Sequence, residues 1–90
     1  MVYENAGETD VTALEKLAAE ISGRGLDPVM TTSGGRPALV VSNPDAPALS
    51  ETILTEGGWY WWSWAERIVS TADVSAAADA VARVLTRSAT

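Results

Sequence analysis

An α+β fold is predicted by three features of this 90-residue chain: an amphipathic helical stripe near each end, β-rich runs between them, and glycine pairs that punctuate those runs. Val11, Leu14, Leu17, Ala18 and Ile21 recur at helical spacing with Glu15, Lys16 and Glu20 opposite, which predicts a first helix over residues 10–23. Thr9 or Asp10 can cap its start, and Gly23 suits a left-handed stop. After "SGRGLDP" turns the chain, "PVMTT" has the β-branched content of a strand. "SGGR", residues 33–36, reads as a tight hairpin loop because two glycines accept the positive φ angles of a primed turn.

"PALVV" is then the returning strand, ending at Ser42, and "NPDAPA", with two prolines, reads as a longer irregular connection. "SETILTE", residues 50–56, predicts a third strand, Gly57 and Gly58 a second hairpin turn, and "WYWWSW" a fourth strand. Trp61, Trp64, Ala65 and Ile68 also fit a helical stripe, so the fourth strand could end early in a helical turn. Ser70, Thr71 and Asp73 open a last helix whose stripe is Val74, Ala77, Ala78, Val81, Val84 and Leu85. The expected architecture is a four-stranded antiparallel meander in the order α-β-β-β-β-α, with both helices packed on one face. Residues 1–9 are expected to form a flexible N-terminus and residues 10–88 a single domain.

The chain is 47% hydrophobic, but much of that is alanine. The large core-formers are the four Trp with Leu14, Leu17, Ile21, Leu26, Met30, Leu39, Val41, Ile53, Leu54, Val81 and Leu85. Each fully buried Trp contributes roughly 4 to 6 kcal/mol gross, against a net domain stability of about 5 to 15 kcal/mol. Cys and His are both absent, which removes the commonest transition-metal ligands, the Ser-His and Cys-His nucleophile pairs, and the usual proton shuttle. A net charge of −6 argues against nucleic acid, whose binding rests on Lys and Arg at phosphates. The cations near the aromatic segment are only Arg36 and Arg67. Neither a signal peptide nor a membrane span is read in the chain, so a cytoplasmic setting is expected.

Chemistry by carboxylates alone finds little support in the spacing. Glu51, Glu56 and Glu66 flank the aromatic segment, but Glu51 and Glu56 are an odd number of residues apart and project from opposite sheet faces. Ser63 has no visible base to activate it. "TSGGRP" lacks the lysine and helix of a phosphate loop, and no EF-hand spacing occurs. No catalytic, cofactor-binding or metal-ligating residue is assigned, and the chain is expected not to be an enzyme.

What stands out is "EGGWYWWSW", which holds five of the six aromatic residues. If Gly57 and Gly58 fix the hairpin register, Trp59 faces Glu56, Tyr60 faces Thr55, Trp61 faces Leu54, Trp62 faces Ile53, Ser63 faces Thr52 and Trp64 faces Glu51. Alternation then puts Trp59, Trp61 and Ser63 on one face and Tyr60, Trp62 and Trp64 on the other. Helices covering one face leave large rings on the open one, which serve a homodimer or other protein partner, pack within the chain on Arg67 and the Pro44–Pro47 loop, or hold a small apolar or aromatic ligand. Trp59, Tyr60, Trp61, Trp62, Trp64 and Arg67 are the candidate partner-binding residues, with the edge of the Trp strand available for strand addition.

"RGL", "GRPALVVSNPDAPALSET" and "WYWWSWAERI", followed by an alanine-rich last helix, resemble a group of short, acidic, uncharacterised proteins of actinobacteria. The resemblance covers about residues 10–88, and "VSNP" and the Trp cluster are its most specific parts. It implies a bacterial, cytoplasmic setting and carries over no functional residue. The function expected from the residues is a non-catalytic protein-interaction or adaptor module using an exposed aromatic sheet face. The alternative is a binder of a small apolar or aromatic metabolite.

Overall fold

A computed structural model describes residues 6–87. Helix α1 (Ala6–Ser22) is followed by strands β1 (Asp27–Ser33), β2 (Arg36–Asn43), β3 (Ala46–Glu56), β4 (Trp59–Trp62) and β5 (Arg67–Ser70), and then by helix α2 (Val74–Arg87). The strands form one antiparallel meander in chain order. The α+β class and the terminal helices are as the sequence predicts, whereas the sheet has five strands rather than four. Helix α1 starts four residues before the expected position, and residues 1–5 of the expected flexible N-terminus lie outside the described residues.

Helical periodicity decides what is buried. Leu14, Leu17 and Ile21 of α1 and Ala77, Ala78, Val81 and Leu85 of α2 close over Leu39, Val41, Ile53, Tyr60 and Trp62 of the sheet. Both helices contact β2 and β3, α1 reaches over β1, and α2 reaches over β5, so the helices share one face of the sheet. Helix α2 contributes the small residues Ala77 and Ala78 to the core, and most of the larger buried side chains come from α1 and the sheet. Among the described residues, no helix is long and apolar enough to cross a membrane.

Polar side chains tie the layers together where the backbone would otherwise be unsatisfied. Asn43, buried at the end of β2, accepts a hydrogen bond from Asp45 N at 2.9 Å and donates to the Leu85 carbonyl of α2 at 3.1 Å. This Asx turn closes "NPDA" in two residues, Pro44 and Asp45, where a longer loop was expected, and β3 therefore starts at Ala46. Arg24, in the turn after α1, donates to Asp79 of α2 at 2.8 Å and to Glu20 of α1 at 3.0 Å. Its hydrogen bonds to Asp79, and then to Glu20, hold its pKa above the ordinary arginine value. Asp73 accepts from Ala76 N at the start of α2, an N-cap that the sequence supplies.

Tyr60 joins sheet to helix. Its side chain is fully buried, and its hydroxyl donates to the Ala13 carbonyl of α1 at 2.7 Å. Burial disfavours the phenolate and pushes the pKa from 10.0 up to about 12. A pKa raised on folding contributes stability that is complete below the unfolded value and is lost as pH rises through the folded one. Urea denaturation between pH 9.5 and 12 is therefore expected to show an alkaline loss of about 2 kcal/mol in the wild type that Tyr60→Phe does not show. A parallel decline in both proteins would contradict this assignment.

Candidate functional site

The aromatic segment is organised by its turn. Gly57 and Gly58 have φ of 61° and 79°, the doubly left-handed geometry of a type I′ turn, which only glycine adopts without strain. The turn sets Glu56 beside Trp59, Thr55 beside Tyr60, Leu54 beside Trp61 and Ile53 beside Trp62, the register expected from the sequence. Since Ile53 faces the helices, Tyr60 and Trp62 do so as well, and Trp59 and Trp61 face away. Tyr60 is 0% and Trp62 6% exposed, so these two of the six candidate residues are on the core side of the sheet, against 37% exposure for Trp59.

Beyond Trp62 the chain departs from the expected strand. Ser63 N still donates to Thr52 O at 3.0 Å, but Ala65 N donates to Trp62 O at 2.9 Å and Trp62 N to Glu66 O at 2.8 Å, closing a tight turn at Ser63–Trp64–Ala65. Ala65 takes the left-handed conformation, φ 70°, at the position where a three-residue hairpin normally places glycine. The chain then returns as β5, with Arg67 beside Trp61 and Ser70 beside Trp59. The fourth strand thus ends early, as the alternative reading allowed, but in a hairpin turn and not in a helical one. The Trp strand is also not an edge: β5 pairs with its free side, which removes it as a site of strand addition.

Trp64 folds back instead of continuing the strand. It stacks on Trp62 with centroids 4.9 Å apart and planes within 5°, and its indole N–H donates to Glu66 at 2.9 Å. One face of its ring is thereby covered, yet 49% of the residue is exposed at the sheet margin. Arg67 lies over Trp59, 4.3 Å from the ring centroid, a cation–π contact that the sequence alternatives included.

On the helix-free face, Trp59, Trp61 and Leu54 line a half-open cleft of about 480 Å³ with Arg36, Glu56 and the turn around Ser63 and Ala65. The Trp61 indole N–H is fixed on the Glu56 carbonyl at 3.1 Å. Arg36, which was noted only as a nearby cation, is held at the cleft wall by donating to Thr55 O at 2.9 Å, with Glu56 at 3.6 Å. Strand alternation could have placed it there, since it occupies the outward position opposite Glu56 at the end of the hairpin. Ala38 also points outward and is nonetheless fully buried, which gives the face a filled floor.

The carboxylates are dispersed. Glu51 pairs with Val41 on the helix side, while Glu56 stands on the open face beside Arg36. Among the described residues, no group of three or more acidic side chains converges as a metal site would require. What the arrangement offers is apolar contact area, two anchored guanidiniums, Arg36 and Arg67, and ring edges in solvent.

Comparison with protein-family models, curated proteins and solved structures finds no match. Ala65 carries the one left-handed non-glycine backbone among the described residues, and it does so at the cleft rim. Left-handed alanine costs about 1 to 2 kcal/mol, and a glycine there returns part of that gain through its freer unfolded chain, about 0.4 to 1 kcal/mol. Ala65→Gly is therefore expected to raise stability by about 0.5 to 1 kcal/mol in urea denaturation. A decrease would mean that the Ala65 methyl packs more favourably than the strain costs.

Proposed function

We propose that the chain is a non-catalytic protein-interaction or adaptor module that binds through the helix-free face of its sheet and can self-associate there. The observation that carries this reading is that Trp59 and Trp61 stand on a face that neither helix covers, around an open cleft, while the chain has enough apolar surface elsewhere to close its core. Large rings in contact with water are costly to a monomer and are typical anchors of protein interfaces. Arg67 over Trp59 and the Glu56 carbonyl on the Trp61 indole N–H hold both rings in place, which reduces the entropy that a partner must remove. The setting we infer is the bacterial cytoplasm, consistent with the acidic composition and the absence of cysteine.

The second reading, a binder of a small apolar or aromatic metabolite, is favoured by the cleft itself. Its volume of about 480 Å³ suits a small ligand, and its lining is mostly apolar with one cation. A small ligand would change Trp fluorescence in dilute protein without raising the mass in solution.

Photo-crosslinking in cells tests the principal reading. Benzoylphenylalanine placed at Trp59 is expected to give discrete protein adducts, self-adducts among them, that the same group at Glu15 on the helical surface does not give. Absence of adducts at Trp59, or the same adducts from both positions, would contradict the proposal.

A further inference from the structure

The two edges of the sheet are protected very differently. Edge strand β5 is four residues long, begins with Arg67, and pairs with β4 through an irregular register, three devices that discourage strand addition. Edge strand β1 is seven residues long, pairs with β2 without a bulge, and has no charge between Pro28 and Ser33. Its side chains are almost all exposed, including Val29 at 55% and Met30 at 37%.

The hairpin fixes which backbone groups of β1 are free. Gly34 and Gly35, with φ of 60° and 80°, make a two-residue type I′ turn, so the closing pair Ser33 and Arg36 is hydrogen-bonded. Alternation from there commits Ser33, Thr31, Val29 and Asp27 to β2 and turns the N–H and C=O groups of Thr32 and Met30 outward. Pro28 occupies the next outward position, where it has no N–H to lose. An unguarded row of donors and acceptors calls for an extended strand.

We propose that this strand is β1 of a second copy of the chain, paired antiparallel about a two-fold axis near Met30 and Thr31. Two observations select a second copy. The chains each carry a net charge of −6, and the uncharged stretch 28–33 is where two copies meet without like charges opposed. Antiparallel pairing also places Asp27 of each copy at the hairpin end of the other, on the same sheet face as Arg36, the cross-strand neighbour of Ser33. The product is a continuous ten-stranded sheet with an aromatic cleft in each half. This contact is separate from the aromatic face, and the two fail independently. A single strand-to-strand contact buries little area, so the dimer is expected to be concentration dependent.

Light scattering and amide hydrogen exchange on the full chain test the inference. The mass is expected to rise from one 9.5 kDa chain toward twice that value by about 1 mM. Over the same range the Met30 and Thr32 amides should gain protection of about tenfold or more, while Thr31 is protected throughout. Val29→Lys, at an exposed position, and Thr32→Pro, which removes an outward N–H, should each hold the protein monomeric with its fold intact. A strict monomer would overturn the proposal. So would a dimer in which Met30 and Thr32 exchange freely, and that outcome would point to the aromatic face instead.

Discussion

The structure depends on a two-residue constraint, the left-handed pair Gly57–Gly58. Because the side-chain period of a strand is two, shifting this hairpin by one residue would exchange the aromatic side chains between the faces of the sheet. In the register observed, Tyr60 and Trp62 enter the core, and Tyr60 reaches the α1 backbone across the interior. The same register leaves Trp59 and Trp61 facing away from the helices. Core and cleft are therefore two consequences of one turn, and neither can be altered without the other.

Much of this was legible because the signals were local. Both glycine-pair hairpins, both helical stripes and the cross-strand partners of Trp59 to Trp62 follow from periodicity and turn chemistry alone. Two features escaped for physical reasons. The turn at Ser63–Trp64–Ala65 carries no glycine, asparagine or proline, since Ala65 adopts the left-handed conformation under strain, and β5 beyond it was consequently unread. "NPDA" advertised a loop, but the Asn43 side chain closes it within two residues by bonding both the turn and the α2 carboxy end. In each case a tertiary contact or a strained backbone outweighed the propensity of the residues.

The hidden strand changes the functional geometry. Four strands would have left the tryptophan strand at the edge, open to pairing; the fifth pairs with it and supplies Arg67 to Trp59. Backbone pairing potential is moved to the opposite edge, at β1, while the aromatic side remains a surface of side chains. The candidate site was legible as a cluster of rings, but its division was not: which rings are wet depends on which face the helices choose, and that is a global property. Arg36 was visible only as a charge until the β2–β3 register put it on the cleft wall.

The division of the rings is most directly measured by dye-sensitised photo-polarisation in NMR, which enhances only aromatic side chains that a dye can touch. If that division holds, dilute protein gives strong signals from Trp59 and Trp64, a weaker one from Trp61, and none from Trp62 or Tyr60. A Trp62 or Tyr60 signal as strong as that of Trp59 would contradict it.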